Sequence, residues 1–515
     1  MRMHDRFGTT AAPPKRKKDK GASVLTLTII SHPNPMRMGD LFYLHGNQLQ
    51  LSRLHPDFTS PTEMYGSPLD DPYLSRNPIL LESQGANLNI RPNGKTEVLV
   101  SGELLKKERQ LPSAEIDKGV VLTLGDRIVL FLHRGLPAPQ TGPDHGLIGH
   151  SLAIRFLRAE INRVADLSSP ILLRGLSGTG KELVAGAIHR AGSKSGPFVS
   201  VNMGAISPGL AASELFGAVK GSFTGSDRNQ LGYFRSAQDG TLFLDEVGET
   251  SPEVQVMLLR ALETGEVSPV GAQKAMPFKT RFLAATDADL GKKMAEDSFK
   301  APLFHRLAGY EIRLPALSER LEDFGRLFLF FAKSALAEVG EPQRLHPTDP
   351  YADPWIPAHL MTKLLSSSWP GNVRQLRNVV HQLVIGCRGE PCLKLVPNVA
   401  EIISQDPPST STQKTQANSK RRTPASISNE EVATAMRDQN WDINAASEIL
   451  GISRGALYLL IKKNPDLRTA SDLQPETIRE VLEQQSGNLE ATARTLTVSA
   501  RALRRRCNDL GISVH

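Results

Sequence analysis

Apolar residues follow three successive rhythms along the chain, and each predicts a different architecture. From Val24 to Leu132 they come in short runs broken by Pro, Gly and Asn: Val24–Ile30, Leu41–Leu44, Gln48–Leu51, Ile79–Leu81, Leu88–Ile90, Val98–Val100, Val120–Leu124 and Ile128–Leu132. Many short strands without a long amphipathic helix predict a β-sandwich over 23–135. Across 147–313 strand-like runs alternate with helical ones, as expected for a parallel sheet covered by helices on both faces. Helical, charge-mixed sequence fills 314–404. A Pro/Ser/Thr/Gln/Lys-rich stretch at 405–426 predicts a flexible linker, and 427–515 returns to helical periodicity. The fold class expected is therefore multidomain: β-sandwich, α/β core with a helical lid, and an all-α tail.

Bulk properties narrow this picture a little. A chain of 515 residues is too long for one core. The net charge of +7 permits nucleic-acid binding without arguing for it, and part of it sits in Lys15, Arg16, Lys17, Lys18 and Lys20. That run predicts a basic, disordered arm over 1–22. Three cysteines make no disulfide framework, and Cys387 and Cys392 lack the second pair of ligands a metal site needs. No apolar stretch is long enough to span a bilayer and no apolar signal core opens the chain, so the expectation is a cytoplasmic protein without a membrane partner.

The chemistry lies in the middle. The apolar strand Ile171-Leu172-Leu173 runs into Gly175-Leu176-Ser177-Gly178-Thr179-Gly180-Lys181, followed by a helical run from Glu182. Backbone N–H groups of such a loop and the following helix N-terminus cradle phosphates, and the lysine neutralises the outer ones. Gly175, Ser177, Gly178, Thr179, Gly180, Lys181 and Glu182 are thus the candidate nucleotide site for ATP. Thr241-Leu242-Phe243-Leu244-Asp245-Glu246 is a second strand, ending in two carboxylates. Asp245 suits a Mg2+ ion and Glu246 an attacking water.

Between these halves lies Gly221-Ser222-Phe223-Thr224-Gly225-Ser226. With its neighbours it resembles the bacterial enhancer-binding proteins, the AAA+ activators of sigma-54 RNA polymerase, whose signature loop is Gly-Ala-Phe-Thr-Gly-Ala. The resemblance extends over about Leu147 to Arg388. It implies that Phe223, Thr224 and Gly225 contact sigma-54, and that Asn202 holds the catalytic Glu246 until ATP engages. It also implies that Arg306 reaches the γ-phosphate on a neighbouring subunit, and that Arg374, in Trp369-Pro370-Gly371-Asn372-Val373-Arg374, senses nucleotide from the lid. Glu after the loop lysine, here Glu182, is the residue that family expects. Lys300, Pro302, Asp287 and Ala218-Val219 depart from the pattern. Lys300 keeps charge without a planar fork, and Asp287 adds a carboxylate near the phosphates.

The C-terminal part repeats at an offset of 46 residues: Asn444-Ala445-Ala446, Leu450-Gly451-Ile452-Ser453-Arg454 and Leu457-Tyr458 align with Glu490-Ala491-Thr492, Leu496-Thr497-Val498-Ser499 and Leu503-Arg504. The first copy resembles the Fis-type helix-turn-helix, which implies DNA contacts from Ser453, Arg454 and Tyr458. The second, with Thr497 in place of the turn glycine, offers Arg501, Arg504, Arg505 and Arg506. The β-rich part resembles a forkhead-associated domain through Leu74-Ser75-Arg76, Asn93-Gly94 and the late strand pair. That implies a phosphothreonine protein as partner, with Arg53, Ser75 and Arg76 as phosphate ligands; Pro78 stands where the family has histidine.

The reading is an ATP-dependent activator that binds enhancer DNA, assembles as a homo-oligomeric ring, a hexamer in the family, and remodels sigma-54 RNA polymerase. Two rivals stand beside it. One is a DNA-binding regulator whose AAA+ module only senses nucleotide and acts without sigma-54. The other is a phosphopeptide-dependent assembly protein.

Overall fold

The computed structural model describes 24–60, 65–136, 142–192, 196–222 and 229–404, then 428–438, 473–485 and shorter stretches of the C-terminal part. The basic arm and the 405–426 linker lie outside the described residues. By contact the chain divides into two compact units, Met1–Pro407 and Pro408–His515.

The first unit opens with two antiparallel sheets. One has eight strands, with Val24–Ser31 and Ile128–Gly135 side by side at its middle; the other has four, Arg109–Leu111, Asn87–Arg91, Ile79–Gln84 and Gln48–Leu51. Leu27, Ile29, Leu51, Leu81, Leu88, Ile90, Val100, Leu122 and Leu130 fill one core between them. Each expected strand is present. The two central strands carry a further property: they are buried on both faces, with Ile30, Val129 and Phe131 outside the sandwich core.

Those outer residues pack into the core of the lid, against Phe324, Leu327 and Phe328 of the helix Phe324–Val339 and the helices Ala358–Ser366 and Asn372–Gly386. Gly325 permits the approach: a Cβ there would meet the Ile30 carbonyl oxygen at 2.6 Å. A polar clamp borders the seam. Arg127 donates through Nε to Asp71 at 2.9 Å and through its terminal nitrogens to the carbonyls of Pro350 and Ala352. Its guanidinium lies 4.5 Å from the Tyr73 ring centroid, and Tyr73 donates to the Tyr351 carbonyl. The Arg127 and Asp71 side chains are 7% and 1% exposed. Arg127→Leu would strand a buried carboxylate, so a loss of about 3–5 kcal/mol is expected. Denaturant melts of the full chain check it; an unchanged midpoint would mean the clamp does not hold the seam.

Next comes a five-stranded parallel sheet in the order Phe198–Asn202, Thr241–Asp245, Arg281–Thr286, Ile171–Arg174, Tyr310–Arg313. Near-continuous apolar strands such as Leu242-Phe243-Leu244 are what a sheet covered on both faces requires. Leu172, Leu244 and Ala284 face one core, Leu173, Phe243 and Ala285 the other.

In the second unit the described residues form two small cores. Val432, Leu457 and Ile461 belong to one, and their counterparts 46 positions on, Ile478, Leu503 and Cys507, to the other. The sequence repeat is thus a structural one, each copy with its own apolar centre. Thr497 occupies the turn at φ +57°, a costly conformation for a β-branched residue. The turn is retained without its glycine.

Candidate nucleotide site

In a parallel sheet the strands deliver their carboxyl ends to one edge, and the site gathers there. Cα pairing sets Asn202 beside Asp245 and Arg174 beside Thr286. Gly175, Asp245-Glu246, Asn202 and Asp287 therefore share an edge although scattered over the sequence.

The loop from Gly175 turns back through Gly178 (φ +75°) and Gly180 (φ +98°) into the helix Lys181–Ala191. Both glycines sit where side chains are strained, and a Cβ on Gly178 would also strike the Gly371 carbonyl oxygen at 2.1 Å. Thr179 Oγ1 donates to the Leu176 carbonyl at 2.8 Å. Lys181 is 9% exposed and donates through Nζ to the Gly175 carbonyl at 2.9 Å. Burial lowers its affinity for a proton; Asp287 and then Asp245 oppose that, while Arg374 adds to it. The Asp287 charge thus favours the protonated form of Lys181. Burial also pushes the Asp245 carboxyl up, against a hydrogen bond from the Glu246 N–H to its Oδ1 at 3.0 Å.

Glu246 has φ +55°, a sparsely populated conformation of the kind that collects at functional sites. Asn202 Oδ1 accepts from the Gly204 N–H at 2.8 Å. A Cβ on Gly204 would lie 3.2 Å from Glu246 Oε2 and 3.3 Å from Asn202 Oδ1, so both side chains border one small space. Among the described residues no hydrogen bond joins them, so the expected Asn202–Glu246 contact is an adjacency here.

The lid closes the site from above. Arg374 donates from its backbone N–H to the Gly178 carbonyl at 3.2 Å and from Nη1 to Ser177 Oγ at 3.3 Å. Glu182, in the first turn of the helix, is close enough to Asp245 to raise the latter's proton affinity. Arg306 and Lys300 are exposed at the helix Ala301–Leu307, away from the loop in sequence and open to a neighbouring molecule. Mg2+ prefers oxygen ligands; the Asp245 carboxyl, on which the Glu246 and Glu182 carboxylates act, is the one that would hold it, and among the described residues no cluster of three or more such side chains is assembled around it.

Phe223, Thr224 and Gly225 lie outside the described residues, but their stem does not. Gly217–Ala218 pairs antiparallel with Gln230–Leu231, and Val219 N–H donates to the Val270 carbonyl at 2.9 Å. In the sandwich, Arg53 is held by Asp70 at 3.2 Å, its N–H donates to the Ser75 carbonyl, and a Cβ on Gly94 would touch Ser75 Oγ at 2.8 Å. Arg53, Ser75 and the Asn93-Gly94 turn therefore converge, while Arg76 is exposed. Ser453, Arg454, Tyr458, Arg501 and Arg505 are outside the described residues. Arg504 is exposed, whereas Arg506 donates to the Leu473 carbonyl at 3.4 Å and serves its own core.

Comparison with known proteins matches two family models to this part of the chain. Residues 147–313 match the Sigma-54 interaction domain and residues 318–415 the AAA+ ATPase lid domain. The DNA-binding transcriptional regulator NtrC of Escherichia coli K12 is 34% identical over 72% of this chain and 71% of its own. The anaerobic nitric oxide reductase transcription regulator NorR of Aeromonas salmonicida is 34% identical over 73% of this chain and 65% of its own. The regulatory protein LuxO of Vibrio cholerae is 40% identical over 48% of this chain and 46% of its own. For those last two relatives the chain spans less than two thirds of their length. Among solved structures, NtrX from Brucella abortus in complex with ATP aligns at 33% identity over 63% of this chain and 70% of that one, with a TM-score of 0.44. No helix among the described residues is long and apolar enough to cross a membrane. The chain belongs to the NtrC-type family of transcriptional regulators, built around a sigma-54 interaction domain and an AAA+ lid.

Proposed function

We propose that the protein is an ATP-driven activator of sigma-54 RNA polymerase that binds enhancer DNA and works as a ring, a hexamer on the family pattern. The observation that carries this is the convergence of Lys181, Asp245 and Glu246 at one sheet edge within the matched Sigma-54 interaction domain, with Arg374 reaching the same loop from the matched lid. Lys181 and the loop N–H groups hold the ATP phosphates. Asp245 would hold a Mg2+ ion, which when bound would supply neutralisation of phosphate charge. Glu246 orients and deprotonates the attacking water. Asn202 borders Glu246 without a hydrogen bond to it here, and its proposed role is to hold the carboxylate at a different step of the nucleotide cycle. Arg306 of one subunit faces its neighbour's γ-phosphate, so hydrolysis depends on assembly. Phe223, Thr224 and Gly225, carried on the stem Gly217–Ala218 and Gln230–Leu231, transmit the stroke to sigma-54. The steady-state ATPase rate, measured across protein concentration, should rise steeply as rings form; a concentration-independent specific activity would remove the role of Arg306.

The tail is proposed as the DNA-binding part, through Ser453, Arg454 and Tyr458 in one copy and Arg501, Arg504 and Arg505 in the other. Residues 427–515 should bind duplex DNA with a steep salt dependence, because these contacts are largely arginine to phosphate. Replacing Arg504 and Arg505 by Ala should lower the slope of log K against log salt by about two. Arg454→Ala should in addition relax sequence preference. An unchanged slope would make the second copy purely structural.

The sandwich is proposed to govern the motor through the lid, since Ile30 and Phe131 are part of the lid's own core. Its input is proposed as a phosphothreonine protein, on the convergence of Arg53, Ser75 and Gly94; the phosphate would displace Asp70 from Arg53. Calorimetry of the full chain with a phosphothreonine peptide library tests it, and uniform absence of heat would assign the signal to another ligand. A regulator that senses nucleotide without engaging sigma-54 is the second reading, favoured by Asp287 acting on Lys181 and by Lys300.

A further inference from the structure

Besides the bonds from Arg374, the lid meets the phosphate loop through a buried side chain. Asn372 is 1% exposed, and its amide uses both ends. Nδ2 donates to the Ser177 carbonyl at 2.9 Å and to the Pro370 carbonyl at 3.3 Å; Oδ1 accepts from the Leu317 N–H at 2.9 Å. Three segments meet on it: the phosphate loop, the strap that leaves the last sheet strand, and the start of the lid helix that carries Arg374. Its backbone is at φ +48°, a conformation Asn tolerates better than most residues. Trp369, 6% exposed, fixes the turn before it by donating from Nε1 to the Leu364 carbonyl at 3.1 Å and accepts the Asn372 N–H on its own carbonyl at 2.8 Å.

We propose that Asn372 is the positioning residue that docks the lid on the phosphate loop and thereby sets nucleotide affinity. This rests on reading Gly175–Lys181 as the phosphate site. Only an amide meets the geometry, because one side must give a proton to a carbonyl oxygen and the other must take one from an N–H. Aspartate has the right shape but turns an ionised oxygen toward the Ser177 carbonyl, so two acceptors face each other. Glycine accepts the left-handed backbone and loses all three side-chain bonds. The loop grips phosphate in the ground state and the transition state alike, so loosening it removes uniform binding: KM rises while kcat is held.

The test uses the full chain with Asn372→Gly and Asn372→Asp. Without nucleotide, hydrogen exchange of the Ser177–Lys181 amides should quicken in both, which reports on the joint alone. Affinity for ADP should weaken by about tenfold in each, as losing a buried hydrogen-bonded contact implies. The aspartate variant should recover affinity relative to the parent as pH falls, because the protonated acid can again donate to the Ser177 carbonyl. Glycine should not recover. Lowered thermal stability with parental exchange, parental ADP affinity and no pH recovery would make Asn372 merely structural and overturn the proposal. If the parent binds no nucleotide while the exchange difference appears, the joint stands and the functional reading of the loop falls.

Discussion

Glu246→Gln is expected to bind ATP as tightly as the parent and to hydrolyse it slower by about two to four orders of magnitude, the range a positioned general base contributes. The substitution keeps size and removes only proton-accepting power. Its charge acts on Lys181 and Asp245 only behind larger influences, and the Glu246 backbone N–H, unaffected, still donates to Asp245 Oδ1. Lys181→Ala is expected to fail one step earlier, at binding. The lysine ammonium is anchored inside the loop on the Gly175 carbonyl, so its removal takes away both the phosphate counter-charge and an internal tie. Equilibrium binding of a fluorescent ATP analogue and a phosphate-release assay on the same preparations separate the two. Equal turnover by the parent and Glu246→Gln would remove the assignment of Glu246 and, with it, the ATPase account.

Phe223→Ala and Thr224→Ala are expected to leave ATP hydrolysis within about twofold of the parent, because neither is among the residues proposed to hold nucleotide. They are expected to abolish transcription from a sigma-54 promoter. The stem has ties of its own: Gly217–Ala218 and Gln230–Leu231 pair with each other, and Val219 binds the stem to Val270. Ser222 and Ser226, where the family has alanines, add hydroxyls and little volume beside the tip. In vitro transcription with each variant, run beside its ATPase rate, reads both properties. Loss of both together would mean that the loop supports the ring rather than the output.

Much of this site could be read directly in the chain because glycine spacing and strand ends are local signals. Gly178 and Gly180 are obliged by positive φ, and Asp245-Glu246 by an apolar strand that stops there. The 46-residue repeat was equally legible, since it is carried by apolar positions that the two small cores then use. What the chain concealed is long-range. The union of sandwich and lid was announced only by the unbroken apolar run Ile128-Val129-Leu130-Phe131-Leu132, which signals burial on both faces rather than one. Read as a sandwich strand, it had no second partner until the lid helix supplied one. Asn372 was visible only as a letter in a turn motif; nothing local says that its amide spans residues 177 and 317. Asp287 shows the reverse case, a sequence departure whose consequence became specific once its charge was seen to act on Lys181.

The central claim is that nucleotide chemistry in this ring is delivered to sigma-54. Its most direct measurement is capture of purified sigma-54 by the full chain, with and without an analogue of the ATP-hydrolysis transition state. The account predicts capture that requires the analogue and disappears with Phe223→Ala. Healthy ATP hydrolysis by the parent with no analogue-dependent capture would contradict it and leave a DNA-binding regulator that senses nucleotide for another partner.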